Sequence, residues 1–429
     1  MPGPPIPGSA DDRLARLRAL PVAAPVLDGL AGEEGVHVVG GAVRDLLLDR
    51  TPAELDLVVE GDALPVARRA AERLGGTVVE HPRFGTATVR VGDVVFDLAG
   101  AREERYERPG ALPEVTVGAT LADDLARRDF TVNAIALRLA GGELTQVPGA
   151  LDDLRDGRLR VLHDDSFADD PTRLLRLARY AARLGFAADP QTDRLAARAA
   201  ADGALATVSG ERLGAELRLL LREPQPAALA ALARHGVGRA LLGPAFAGDP
   251  VLIRAALAEL PADGRPDLVA LAAALVDADR DELPARLRAL AFPATDAAAV
   301  LAAATAGRLG AALDAAARPS EVDALLRREP PEAIALAAAL GLGRPGAVAA
   351  WRDRDRDRRL ALTGGDLLAA GLRGPAVGAA LAVARAVMLD AGAETREDQL
   401  AAALAAGQAP GVSPGTGAPS GTPRRRYSS

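Results

Sequence analysis

The 429-residue chain contains no cysteine, no lysine and only four histidines. Without cysteine there can be no disulfide and no thiolate-held zinc. His37, His81, His163 and His235 are scattered with no metal-ligand spacing, and His163-Asp164 is an isolated dipeptide that fits a loop. No apolar run approaches the roughly 20 residues of a membrane span. The opening MPGPPIPGSADDR lacks the basic and apolar parts of a signal peptide. These absences predict a cytoplasmic protein with no membrane partner. What is present is ordinary for a globular chain of two or three domains, with 49% hydrophobic and 25% charged residues. The net charge is −7, yet all 51 basic residues are arginine, whose planar fork suits phosphates and base edges. The sign of a local patch matters more than that total.

The most informative stretch is VHVVGGAVRDLLLDRTPAELDLVVEGD, residues 36–62. Val36, Val38 and Val39 form a short apolar strand running into Gly40 and Gly41, where backbone N–H groups can approach a phosphate. A helix starting near Ala42 adds the attraction of its N-terminal dipole for an anion. Arg44 and Asp45 fall on its first turn, where a guanidinium reaches either a phosphate or a structural carboxylate. Glu54 and Asp56 are then two apart on a predicted strand, hence on one face. Two such carboxylates can hold a pair of Mg²⁺ ions that activate a hydroxyl and neutralise a leaving pyrophosphate. That order of elements suggests nucleotidyl transfer, although a Gly-Gly turn and an acidic strand are each common by themselves.

Further along, Leu64–Leu74 reads as a helix ending at Gly75-Gly76, followed by the strand TVVEH. TATVRV and VVFDLA flank Gly92-Asp93, a two-residue hairpin signal. That hairpin brings Asp97 within reach of Glu54 and Asp56 as a third carboxylate, where it would otherwise be a strand-end acid. RRDFTVNAIAL places Arg127, Arg128, Asp129 and Asn133 at the start of an apolar segment, which fits a site and a capped element equally. In DDPTRLLRLARYAARLGF, residues 169–186, Arg173, Arg176, Arg179 and Arg183 fall within an arc of roughly 120° opposite Leu174, Leu177, Ala178, Ala181 and Leu184. No acid follows Asp170 on that helix to pair with them at i+4.

Together these segments resemble the class II, bacterial-type tRNA nucleotidyltransferases and the related bacterial poly(A) polymerases, over roughly residues 30–225. VVGGAVRDLLL is similar to the family's first nucleotide-binding segment, and ELD stands where the family carries Asp-x-Asp. FDLAGAREERYERPGALPEV resembles the strand and flexible loop that follow, RRDFTVNAIA the family signature, DDPTRLLRLARYAARLGF the base-reading helix, and SGERLGAELRLLL, residues 209–221, the neck. The resemblance implies Gly41 and Arg44 on the triphosphate, Glu54 and Asp56 on Mg²⁺, and Arg128 on the nucleotide. It sets Asp170 and Arg173 on the Watson–Crick edge, with Arg176 and Arg179 toward the triphosphate. Donor counting agrees: a carboxylate accepts from the exocyclic amine of C or A, and a guanidinium donates to the acceptor beside it. CTP and ATP would be chosen without a template, and the partner would be the 3′ acceptor end of tRNA.

The implied fold is α+β, a polymerase-β-type head with a mixed sheet followed by an all-α neck, body and tail. Domains are expected at 1–25 (a flexible N-terminus), 26–158 (head), 159–225 (neck), 226–407 (helical body and tail, tRNA-binding) and 408–429 (a disordered tail). The RRR near the end of that tail can touch nucleic acid or merely solubilise. Helices from residue 160 on should break at the Pro and Gly clusters 189–190, 224–226, 244–250, 261–265 and 329–331. Residues 363–387 fit a phosphate-binding helix-hairpin-helix or an ordinary packing unit, and WRDRDRDRRL, residues 351–360, a solvated helix end. Three departures stand out. Glu54 replaces Asp, Val147 replaces the Asp of a segment usually beginning Asp-Pro, and Asp169 replaces Glu. Addition of CCA, of its terminal A alone, and poly(A) synthesis all fit. The undeleted loop EERYERPGALPEV argues against CC-only addition. A non-catalytic RNA-binding protein with a decayed site is the alternative of another class. Nothing resembles a His-Asp phosphohydrolase domain.

Overall fold

The computed structural model describes residues 8–407 except 22 and 53. Two helices come first, α1 (Ala10–Arg18) and α2 (Ala23–Gly29). The lead-in expected to be flexible is therefore helical from Ala10. Ser9 and Asp12 cap it reciprocally, satisfying two N-terminal backbone donors that would otherwise face water. Residues 1–7 and the predicted tail 408–429 lie outside the described residues.

The head follows as β1 (Val36–Val39), α3 (Gly41–Leu47), β2 (Asp56–Val59), α4 (Ala63–Leu74), β3 (Thr77–His81), β4 (Thr86–Val91) and β5 (Val94–Gly100). It continues with the hairpin β6 (Arg102–Arg105) and β7 (Glu114–Val117), then α5 (Leu121–Ala126), β8 (Ile135–Arg138), β9 (Leu144–Gln146) and α6 (Ala150–Asp156). Seven strands make one mixed sheet in the order β3-β4-β5-β2-β1-β8-β9. β2 and β5 are its parallel pair, and their register sets Asp56 opposite Asp97. Val91 pairs with Val94 across Gly92-Asp93, the hairpin read from sequence. β1 is buried along its whole length, so its apolar run is a central strand and not one face of an edge.

One sequence expectation fails here. β2 begins at Asp56, and Glu54 sits on a bend before it. The two carboxylates are not brought together by strand alternation. Leu55, buried between them, anchors the bend instead.

β10 (Arg158–Leu159) pairs in parallel with β11 (Ala187–Ala188) around α7 (Ser166–Asp169) and α8 (Thr172–Leu184), so the neck is not wholly helical. α9 (Pro190–Ala201) and α10 (Gly210–Leu220) complete it. Beyond, helices follow the predicted breaks. Pro190, Pro250, Pro266, Pro319, Pro331 and Pro375 each open a helix, where a missing N–H costs nothing. The chain divides into two compact units, Met1–Arg308 with Pro330–Leu340, and Leu309–Glu329 with Gly341–Ser429. Head, neck and much of the body thus share one unit, a coarser division than the five segments expected.

In the second unit Gly364–Ala369 and Pro375–Ala391 form the predicted helix pair. WRDRDRDRRL departs from its expected solvated helix end. Trp351 and Asp355 are buried in a π-helical turn, with the Trp351 indole donating to Asp323 Oδ1 at 2.9 Å. Among the described residues no single helix is long and apolar enough to cross a membrane.

Candidate active site

A cavity of about 580 Å³ opens in the first unit. Gly40, Gly41, Arg44 and Asp45 line it from the β1–α3 junction, Glu54 and Asp56 from the entry to β2, and Arg128, Asp129 and Asn133 from the segment before β8. Asp170, Arg173, Arg176 and Arg179 line it from the start and face of α8. Every nucleotide-site candidate read from the sequence therefore faces one space. Asp97 does not line it. Asp97 lines a second cavity of about 480 Å³, which shares Asp56, Arg127 and Arg128 with the first.

Gly40 has φ +70° and ψ −133°, a conformation closed to other residues, and a Cβ there would lie 2.6 Å from Arg128 Nη1. This turn lets Arg128 lie over the backbone. Arg44 is 1% exposed, so the structural carboxylate of the two options wins. Its Nε donates to Asp45 Oδ1 at 2.8 Å and its Nη1 to Asn133 Oδ1 at 2.6 Å. Asn133 Nδ2 donates to Asp129 Oδ1, and Arg176 donates to Asp129 Oδ2 through Nε and Nη2 at 2.8 and 2.5 Å. Burial works to raise the Asp129 pKa, but Arg176 and the Asn133 amide outweigh it and hold it down at about 2. The guanidiniums of Arg44, Arg176 and Arg179 lie 5.1, 5.4 and 4.8 Å from the Tyr180 ring centroid.

The arginine face of α8 is thus not a solvated stripe. Its acids come from elsewhere in the fold: Asp129 and Glu216 for Arg176, Glu216 for Arg179, and Glu223 for Arg183. Arg179 Nε and Arg128 Nε are buried with no hydrogen-bond partner.

Asp170 and Arg173 both reach the cavity but do not pair with each other. Asp170 Oδ1 accepts from Thr172 and from Arg212 Nη2 at 3.0 Å. Arg173, 4% exposed, donates through Nη1 to Ser166 and through Nη2 to the Arg127 carbonyl at 2.8 Å. Arg212 also donates to the Gly110 carbonyl in the β6–β7 loop, tying that loop to Asp170.

Near Asp56 the charges crowd. Surrounding protein displaces bulk water and pushes its pKa up, and Glu54 and Asp97 add repulsion, while Arg128 opposes both. Asp124, 0% exposed, bridges Arg127 and Arg128 at 2.8 and 2.9 Å. Burial raises its pKa, but those two cations hold it below the usual carboxylate range. Tyr106 in the loop donates to Glu104, and burial pushes its pKa up to about 12.

Among the described residues no three His, Asp or Glu side chains form a ready cation site. A magnesium ion needs only one or two carboxylates when substrate phosphates complete its shell, and the mutual repulsion around Asp56 is what a divalent ion would relieve. Glu54 and Asp56 fit that role.

Sequence reading missed Tyr180, Tyr106, Glu104, Asp124, Arg212 and Glu216. Tyr180 carried a signal, an aromatic inside the arginine stripe one residue after Arg179 and four after Arg176. Arg212 and Glu216 lie four apart on the neck helix, but their partners are distant in sequence.

Residues 36–160 match the family model described as the poly A polymerase head domain. The A-adding tRNA nucleotidyltransferase of Halalkalibacterium halodurans is 43% identical over 218 residues, 49% of this chain and 51% of that protein. The CC-adding enzyme of Deinococcus radiodurans is 46% identical over 194 residues, 44% of this chain and 50% of that protein. The chain spans about half the length of these curated relatives. In fold it is similar to the Thermotoga maritima CCA-adding enzyme solved with a tRNA, with a TM-score of 0.78 at 27% identity over 94% of this chain and 100% of that one. The match thus assigns residues 36–160 to the poly A polymerase head domain.

Proposed function

We propose that this protein is a template-independent RNA nucleotidyltransferase that adds CCA, or its terminal A, to the 3′ end of tRNA from CTP and ATP with release of pyrophosphate. One observation carries the reading. A single cavity joins base-edge groups at one end, Asp170 and Arg173, to the glycine turn, the unpartnered arginine donors and the carboxylates at the other. Its volume lies within the roughly 300–1,000 Å³ of small-molecule sites.

In this reading Asp170 accepts from the exocyclic amine shared by C and A, and Arg173 donates beside it, so the carbonyls of U and G are refused. Arg128 and Arg179 donate to the triphosphate through groups that are otherwise idle. Arg44 acts one step back, holding Asn133 and through it the Asp129–Arg176 pair. Glu54 and Asp56 would hold Mg²⁺, which supplies charge neutralisation for the leaving pyrophosphate and acidifies the attacking hydroxyl. Asp97 pairs in register with Asp56, and Thr88 donates to its Oδ1. In this reading Asp97 accepts the hydroxyl proton from the side of the second cavity. We place the reaction in the cytoplasm with its tRNA and nucleotide substrates. The head-domain match favours poly(A) synthesis as the second reading.

The deciding experiment is incorporation of labelled CTP and ATP, alone and together, into tRNA ending before CCA or after CC and into an unrelated RNA, with Mg²⁺. CCA on the shortest tRNA establishes the full activity, ATP only after CC the A-adding one, and ATP into unrelated RNA the poly(A) reading. Asp56→Ala should lose on the order of 10³-fold or more, since several kcal/mol of metal-borne charge stabilisation depend on it. Absence of transfer to every substrate would refute the proposal.

A further inference from the structure

The second cavity contains a poorly satisfied cation. Arg102, the first residue of β6, lines it together with Asp56 and Asp97. Its Nε is buried without a hydrogen-bond partner, and among the described residues its ion-pair contact is Glu104 at 3.2 Å. Glu104 is drawn more tightly to Arg127, at 2.7 Å, and Asp124 is shared between Arg127 and Arg128. Three guanidiniums thus divide two carboxylates, and Arg102 receives the least. Burial and the neighbouring Arg127 charge lower its pKa, the response of a cation that lacks a counter-charge.

An exposed aromatic lies on a turn whose flanks line the same cavity. It is Phe84, 54% exposed on Pro82–Phe84, and the flanks are His81 and Thr86. The Arg83 guanidinium lies 5.8 Å from its ring centroid. Val117 joins the two features: it pairs with Arg102 across β6–β7, and its Cγ1 lies 2.9 Å from where a Cβ on Gly85 would be. A large exposed aromatic braced by a cation is costly to leave in water and suits a stacked base.

We propose that Arg102 takes the phosphodiester joining the last two nucleotides of the acceptor RNA, and that Phe84, backed by Arg83, stacks on the acceptor's terminal base. This rests on the nucleotidyltransferase reading above and names residues for its second substrate. The two cavities meet at Asp56, so a strand seated on Phe84 and Arg102 presents its 3′-hydroxyl between Asp97 and Asp56, opposite the nucleotide. Phosphate and base-face contacts of this kind are indifferent to sequence, which suits an acceptor whose last base changes after each addition.

The test measures KM for an acceptor minihelix ending in CC and KM for ATP, with direct binding of the same RNA by anisotropy across a salt series. Arg102→Ala should raise the RNA KM and Kd about tenfold, leave the ATP KM within twofold, and flatten the salt slope by about 0.7, one single-stranded phosphate contact. Arg102→Lys should recover part of the affinity with the full slope. Phe84→Ala should weaken RNA binding about 5- to 100-fold without a change in salt slope, and Phe84→Tyr should restore it. Unchanged RNA affinity in both alanine variants, or an equal rise in the ATP KM, would overturn the assignment. A wild-type protein that transfers nothing yet binds RNA through Arg102 and Phe84 would sink the transfer reading and keep the acceptor site.

Discussion

Arginine is the sole strong base in this chain, and it is used in opposite ways in two places. In the second unit, Arg385 spends every nitrogen: Nε and Nη2 on Asp323 at 2.6 Å each, Nη1 on the Arg358 carbonyl at 2.8 Å, and Nη2 also on the Asp355 carbonyl. Around the two cavities of the first unit, Arg102, Arg128 and Arg179 each keep a buried Nε without a partner. Leaving a buried donor unmade costs about 1–3 kcal/mol, so three such omissions in one region are expensive unless something arrives to satisfy them. A closed arginine holds a fold together, and in the function proposed above an open one meets an anion. Residue type is the same in both, and the difference lies in these three arginines alone, since Arg44 and Arg176, which line the first cavity, are paired at every nitrogen.

The sharpest way to break this contrast is Asp323→Ala. It strands the Arg385 charge and the Trp351 indole N–H in a buried setting, and should cost about 3–5 kcal/mol. Thermal or denaturant unfolding would show this as a large loss of stability, while CTP and ATP affinities stay within twofold. A variant that loses nucleotide affinity at full stability would mean that the closed cluster serves the site after all.

How far the sequence discloses this contrast depends on range. The β1 turn, the two-residue hairpin at Gly92-Asp93 and the α8 stripe follow from local grammar, and the structure has them, while the expected nearness of Asp97 to Asp56 is realised through the long-range β2–β5 pairing. The partners of the α8 arginines do not follow, because Asp129, Glu216 and Glu223 lie 37 to 47 positions away. The missing i+4 acids correctly marked the helix as unusual, but its acids come from tertiary structure. The same distance hid the fate of WRDRDRDRRL: only Asp323, 28 positions before Trp351, explains why an alternating-charge segment turns inward. Glu54 was misplaced for a local reason, since alternation was extended past the point where β2 begins.

Asp129 offers a smaller and pH-resolved test of the nucleotide side. Its pKa is about 2 when folded and near the usual 3.8 when not, so the folded state binds its proton more weakly. Its contribution, about 2 kcal/mol, is complete above pH 4 and vanishes as the pH falls through 2. Urea unfolding of wild type and Asp129→Asn should therefore converge by about that amount between pH 5 and pH 2. Parallel curves would mean that Arg176 is held by Glu216 and Tyr180 without Asp129.

Glu54 gives the smallest effect and the finest distinction. By itself the extra methylene of Glu moves a carboxylate about 1 Å, enough to cost on the order of 10²-fold where the backbone is rigid. Here the backbone is a bend anchored by buried Leu55, outside the β2 ladder, and the Glu54 charge already contributes to raising the Asp56 pKa. A bend can adjust to the longer side chain where a paired strand cannot. Glu54→Asp should then withdraw the carboxylate and lower kcat about tenfold, equivalent to about 1.4 kcal/mol, with KM for ATP little changed. An increase in kcat would reverse this account: the site would be one in which Glu54 marks decay, and shortening the side chain would restore the spacing on which transfer depends.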